Sequence, residues 1–262
     1  MTQQLPLPVS LRDEASFKNF YLPDKADAGS RTQINYLLKA MAADETVDTA
    51  AGSEPGLVLG AEFAVYIWGP AGSGKSHLAQ ACCRQFVEAE RRAMYLPLEE
   101  LITYPPQQVL ADLEHNELVC IDDLHLIMEQ VTTQELRDRQ ADWQLAVFDL
   151  YNRLRDKGGR LLLVGSASPG NSAIALADLQ SRLAAATGFA LAAYSDKERV
   201  DILCFRAQRL GLSLPEEVAR YLVNRAPRDM DTLIEYLRRL DKEALAGQRR
   251  LTVPFVKTVF EY

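Results

Sequence analysis

The chain has 262 residues, 48% of them hydrophobic, and a formal net charge of −7, enough apolar material for one domain with a small appendage or for two modest domains. The acidic balance argues against a large phosphate-neutralising surface, because duplex binding needs clustered Lys and Arg to displace counterions, so DNA is not expected as the main direct ligand. Cys82, Cys83, Cys120 and Cys204 have neither zinc-ligand nor redox-motif spacing, the longest apolar runs are strand-sized, and no basic-then-apolar leader opens the chain; a cytoplasmic protein with reduced thiols and no membrane association is expected.

Residues 1–12 (MTQQLPLPVSLR) carry two prolines and no amphipathic period, and read as a flexible extended arm. A helix is expected over Ser30–Ala42, followed by an acidic, small-residue-rich surface loop from Ala43 to Gly60. Apolar runs at 63–68, 93–98, 117–122, 160–166 and 188–194 then alternate with helical segments that include Ser76–Arg91, Gln107–His115 and Trp143–Lys157. That alternation is the signature of a parallel α/β sheet. The polar run from Met128 to Ala141 reads as a solvated loop or a helical extension. After Tyr194 the pattern is helical only. Ser195 and Glu198 have capping-box spacing for a helix running to Leu210, and Pro215 opens a second. Helices over Asp229–Leu245 and Val253–Phe260 follow, the last capped by Thr252 with Pro254 in its first turn. The expected division is an arm over 1–12, an α/β domain over 13–194 and a small helical domain over 195–262.

Two pieces of this pattern carry chemistry. Gly69, Gly74, Lys75 and Ser76 match G-x-x-x-x-G-K-S, which average composition would produce by chance about once in a hundred chains of this length. The match sits between a strand and a helix, so Gly69, Pro70, Ala71, Gly72, Ser73 and Gly74 would turn backbone N–H groups and a helix N-terminus onto one anion. Lys75 would reach the β and γ phosphates of a bound ADP or ATP, Ser76 would ligate Mg²⁺, and His77 follows beside them. The plain alternative is a glycine turn. In the second piece, LVCIDD, an apolar strand ends in two carboxylates at the carboxyl edge of the sheet. Asp122 would hold Mg²⁺ through water and Asp123 would stand beside the attacking water, unless two acids merely end a strand.

GPAGSGKSHL and VCIDDLHLI resemble the Walker A and Walker B boxes of the AAA+ ATPases, and among these the DnaA-type initiators, over about Phe17 to Tyr262. The resemblance implies an AAA+ P-loop core, a five-stranded parallel sheet flanked by helices, followed by an all-helical lid. By position it makes Ser166, in LLLVGSASP, the polar sensor of the fourth strand. It makes Arg182, in DLQSRL, the arginine finger that enters the nucleotide site of a neighbouring subunit. FKNF, Phe17–Phe20, is similar to the entry box near the adenine, with Phe20 and then Tyr21 alongside; core packing competes equally for these rings.

Initiators continue past the lid into a DNA reader, whereas this sequence ends after it, which implies action through proteins without sequence-specific DNA contact. Gln4, Leu5, Pro6, Leu7 and Pro8 resemble the short peptide that docks on the DNA polymerase sliding clamp. VFDLYNRL and RRLTVPFVK add similarity to a regulatory branch of the family that inactivates the initiator. Membership of that branch implies a negative regulator of replication initiation, ADP-bound and held to the clamp by its arm, that stimulates hydrolysis of the initiator's ATP and prevents re-initiation. Homo-oligomerisation is compatible with it. Its own ATPase would be weak or absent. Asp123 is one methylene shorter than the usual glutamate, Ser166 orients water less well than asparagine, and Asp231 stands where initiators carry a lid arginine, with Arg228 three residues away. The alternatives are an ATP-driven loader of a helicase or transposase, and a structural adaptor in which Arg182 is dispensable.

Overall fold

Alternate side chains of five apolar runs pack against helices on opposite sides, and this turns the runs into one sheet. The computed structural model describes residues 11, 15–21, 63–171, 174–227, 229–247 and 249–260. Gln4–Pro8, the helix expected over 30–42, the acidic loop over 43–60 and Arg228 lie outside the described residues. The strands are β1 (Ala64–Trp68), β2 (Ala93–Pro97), β3 (Leu118–Asp122), β4 (Arg160–Gly165) and β5 (Thr187–Ala190). All pairs are parallel and the order is β2-β3-β4-β1-β5, so the expected five-stranded parallel sheet is present.

Tyr66, Leu96, Val119, Ile121, Leu161 and Leu163 enter one core with Trp143, Val147, Leu150 and Leu154 of α4 (Gln134–Lys157). Their neighbours Val65, Ile67, Cys120, Leu162 and Val164 enter a second core with Leu78, Cys82 and Phe86 of α1 (Lys75–Glu88). Burial on both faces explains why the strands read as continuous apolar runs.

Several boundaries differ from expectation, each for a local reason. α1 stops at Glu88 rather than Arg91, because Glu90 is left-handed at φ 57° and the Arg91 amide turns back to donate to the Phe86 carbonyl at 2.9 Å. The segment 107–115 is not one helix. After α2 (Leu98–Leu101), α3 (Pro106–Val109) ends, Asp112 is left-handed at φ 58°, and a 3-10 turn covers Leu113–His115. α4 begins at Gln134, so most of the polar run before Ala141 is helical extension. Thr133 caps it by accepting from the Leu136 amide, and the pairs Gln134–Asp138 and Glu135–Arg139 lie along its solvated start. The last strand stops at Ala190. The Leu191 amide still reaches the Trp68 carbonyl at 2.7 Å, but β1 turns away at Gly69 and leaves 192–194 without a ladder partner.

A helix absent from the sequence reading as such, α5 (Ala177–Ala184), carries DLQSRL and buries Leu179 and Leu183.

The described residues separate into two units, the second gathering the helices from 192 onward together with Tyr21 and 71–73. α6 (Asp196–Arg209) starts with the expected capping box: the Glu198 amide donates to Ser195 Oγ at 3.2 Å and the Ser195 amide to Glu198 Oε2 at 2.7 Å. α7 (Glu216–Arg225) follows Pro215, then α8 (Met230–Gly247) and α9 (Val253–Phe260), whose cap is Thr252. Leu203, Val218, Leu222, Leu233, Leu237, Leu240 and Val256 form this unit's own core. Among the described residues no helix is long and apolar enough to cross a membrane.

Asp229 caps α8, its Oδ2 accepting from the Thr232 amide at 2.9 Å and the Thr232 hydroxyl at 2.8 Å. Burial pushes its pKa up, but the Thr232 amide and hydroxyl and the Asp231 amide together outweigh burial and hold the carboxyl below its ordinary value. Asp229→Ala is therefore expected to cost about 1 kcal/mol in urea denaturation at neutral pH. A depressed folded pKa gives stability that is present above the unfolded value and lost as pH falls through the folded one. The difference between wild type and variant should accordingly shrink in acid; a difference independent of pH would contradict the cap.

Candidate functional site

Because β3, β4 and β1 are adjacent and parallel, Asp122 at the end of β3, Ser166 just after β4 and Gly69 just after β1 arrive at one edge of the sheet. The loop that follows β1 has glycine at each of its three positions of positive φ, Gly69 at 156°, Gly72 at 71° and Gly74 at 89°, the last two in the left-handed region. Gly74 is also the N-cap of α1 and offers no side-chain acceptor, which leaves the first-turn amides to an anion. Lys75 Nζ donates to the Pro70 carbonyl at 2.8 Å, holding the amine across the loop. Burial lowers the Lys75 pKa from its ordinary value, against the charges of Asp122 and Asp123. The residues present therefore fit a polyphosphate: an uncapped helix start, glycine-permitted close approach and one anchored cation.

Asp122 is 1% exposed, and both its oxygens are engaged. Tyr95 donates its hydroxyl to Oδ2 at 2.6 Å and the Asp123 amide donates to Oδ1 at 2.8 Å. Burial, and then the Asp122 charge, push the Tyr95 phenol far up. Asp123 is left-handed at φ 57° and opens a 3-10 turn over Leu124–Ile127. Burial and the adjacent Asp122 push its pKa up to about 6, with His125 and Lys75 pulling the other way. Among the described residues no group of three or more His, Cys, Asp or Glu side chains is placed to hold a metal. A magnesium ion here would take Ser76 and Asp122 with phosphate and water oxygens.

Ser166 is exposed, and its backbone is held from both sides by Tyr66 of β1. The Tyr66 hydroxyl donates to the Ala167 carbonyl at 2.9 Å and occupies the space a side chain at Gly165 would need. On the other face, His77 Nε2 lies 2.9 Å from the Ser16 carbonyl oxygen and Arg84 Nε donates to the Ala15 carbonyl at 2.9 Å, strapping the entry segment to α1. The Phe20 ring lies 5.6 Å from that of His77, and Phe17 and Phe20 both pack against the α1-side core. The Tyr21 ring lies 5.5 Å from that of Phe205.

Arg182 is half-buried on α5, its guanidinium carbon 5.6 Å from the centre of the Tyr151 ring on α4. Asp231 lies exposed in the first turn of α8. Cys82, Cys83, Cys120 and Cys204 are all free thiols.

Sequence reasoning missed Gln144, which is 2% exposed within α4. Its Nε2 donates to the Ile127 carbonyl at 2.6 Å and its Oε1 accepts from the Ala175 and Leu176 amides, each at 3.1 Å. The available signal was its spacing: Val147 and Tyr151, three and seven residues on, put it on the buried stripe of the helix.

A protein-family model described as Hda, lid domain, matches residues 196–260. An uncharacterised protein of Haemophilus influenzae is 36% identical over 260 residues, covering 99% of either chain. In structure the chain is similar to domain III of the replication initiation protein DnaA from Thermotoga maritima, with TM-score 0.70, 18% identity and coverage of 97% of this chain and 98% of that one. It is similar too to AMPPCP-bound DnaA from Aquifex aeolicus, with TM-score 0.63, 17% identity and coverage of 90% and 68%.

The Tyr66–Gly165 contact makes a direct test of how Ser166 is held. Gly165→Ala is expected to destabilise by about 1–3 kcal/mol in chemical denaturation, and adding Tyr66→Phe should recover part of that loss. Additive losses in the double variant would show that the hydroxyl does not fill the Gly165 space.

Proposed function

We propose, for a chain that belongs to the Hda-like branch of the DnaA-family AAA+ proteins, that it is a negative regulator of replication initiation acting on a DnaA-type initiator in the cytoplasm. The observation carrying this choice within the family is the match of residues 196–260 to the Hda lid. In this proposal the loop Gly69–Ser76 holds an adenine nucleotide, ADP in the working form, with Mg²⁺ on Ser76 and Asp122. The uncapped start of α1 and the anchored Lys75 amine support it, as does the AMPPCP bound to the Aquifex initiator. Magnesium would neutralise phosphate charge; the chain's own groups orient the diphosphate and exclude water from it.

Arg182 is the residue presented to the partner. It enters the ATP site of an initiator docked against this subunit and stabilises charge on the γ-phosphoryl group as water attacks. An arginine finger accelerates such transfers by about 10³ to 10⁵, roughly 4 to 7 kcal/mol of barrier. Its place on the short helix α5, over the Tyr151 ring and without an ion pair to a carboxylate among the described residues, suits a group that must be handed over. The arm 1–12 docks Gln4–Pro8 on the sliding clamp, and the high effective concentration on loaded DNA replaces sequence-specific DNA contact. The 13–194 domain carries the finger, and the helical lid occupies 195–262. Turnover of the chain's own nucleotide is slow: Asp122 is pinned by two donors, Asp123 is short, Ser166 replaces a stronger orienting group, and Asp231 adds negative charge in the lid.

Arg182→Ala is expected to keep ADP binding, tighter than ATP binding by titration calorimetry, while abolishing stimulation of initiator ATP hydrolysis. Retained stimulation would remove the finger from the proposal, and tighter ATP than ADP binding would remove the ADP-bound working form.

A further inference from the structure

A buried primary amide brings two donors and two acceptor lone pairs, and the groups facing it decide where it is held. Gln144 is met on one side by the Ile127 carbonyl and on the other by the Ala175 and Leu176 amides. Ile127 closes the 3-10 turn that begins next to Asp123, one residue beyond the pinned carboxylate of Asp122. Leu176 is the N-cap residue of α5 and has no side chain able to cap it, and its own amide, with that of Ala175 before it, is held by Gln144 of α4. Four residues earlier on the same helix, Gln140 donates its amide to the Leu126 and Glu129 carbonyls at 2.8 and 3.1 Å. The turn after β3 is thus clasped twice by α4, and one of the two clasping side chains also holds the start of α5.

We infer that Gln144 is a positioning residue that passes displacement of the Asp123–Ile127 turn to α5, and so sets the orientation of Arg182 according to what the phosphate loop holds. The functional consequence rests on Arg182 acting as a finger; the coupling itself does not. The mechanism is steric and polar. A turn that moves by a few tenths of an ångström must either leave a carbonyl unpaired in the core or carry the amide with it, and the amide's oxygen carries the Ala175 and Leu176 backbone. Only a side chain bonded at both ends transmits in this way.

The test is amide hydrogen exchange on the full chain with and without ADP and magnesium, for wild type, Gln144→Leu and Gln144→Glu. In wild type, ADP should slow exchange over 175–184 by roughly tenfold, as well as at the first turn of α1. Gln144→Leu should keep the α1 response and lose the α5 response. Gln144→Glu keeps the acceptor for Ala175 and Leu176; protonated, the form that burial opposite a carbonyl favours, it can also donate to Ile127 and should respond to ADP, whereas once ionised at alkaline pH it has no donor for Ile127 and should keep the unliganded protection of α5 but lose the response. This variant decides the matter if the leucine variant does not fold. An α5 response equal in all three proteins at alkaline pH, or none in wild type, overturns the coupling.

In the initiator ATPase assay, Gln144→Leu should lower the saturating rate by roughly tenfold without moving the half-saturating concentration, and should add nothing in an Arg182→Ala background. An unchanged saturating rate in Gln144→Leu with a normal Arg182→Ala defect overturns the inference. Full stimulation by Arg182→Ala together with a lost exchange response in Gln144→Leu would sink the finger reading and leave the coupling standing.

Discussion

Three apolar strands lying side by side and pointing the same way set the position of every polar group in the site. β3, β4 and β1 are buried on both faces, and a slip of one residue in any of them would exchange its two sets of side chains between the two cores. Register is therefore held by packing over the whole sheet rather than by the few residues at its edge. Asp122, Ser166 and the glycine loop end up together because Trp68, Gly165 and Asp122 close these neighbouring strands. Even the backbone around Ser166 is shaped from the next strand, where Tyr66 fills the place of a missing side chain and bonds the Ala167 carbonyl.

Two buried polar side chains in this apolar frame, Asp122 and Gln144, are paired at both ends. Tyr95 and the Asp123 amide take both oxygens of Asp122; Gln140 and Gln144 take the carbonyls of the turn that follows. In a low-dielectric interior such bonds are strong when complete and costly when broken, so they transmit displacement rather than absorb it. Under the proposed function, the arrangement suits a nucleotide site that holds a conformation more than one that turns over rapidly, with Arg182 on a neighbouring short helix as its output.

Much of this was legible in the sequence because its signals are local. A strand running into G-x-x-x-x-G-K-S, an apolar run ending in two acids, and Ser195 three residues before Glu198 each announce a backbone conformation within a few residues. The five strands were legible for the same reason, since burial on both faces leaves an unbroken apolar run. What was missed depends on partners distant in sequence. β5 stops at Ala190 because β1 turns away, which nothing near Leu191 reveals. The break at Asp112 sets Leu110 and Leu113 into the core from two short elements instead of one helix. The charged start of α4 left loop and helical extension both open, because its stabilisation is a cap and a few surface pairs. Gln144 reads as an ordinary helix residue until the Ile127 carbonyl and the Ala175 and Leu176 amides are brought to it from 17, 31 and 32 residues away.

The central claim is that this chain works on a partner's nucleotide rather than its own. The direct measurement is the fate of ATP bound to a DnaA-type initiator, followed with this protein in its ADP form and with sliding clamp either loaded on DNA or absent. Rapid conversion of the initiator's ATP to ADP only when both this protein and loaded clamp are present is the expected result. Initiator ATP that persists equally with and without this protein would contradict the account.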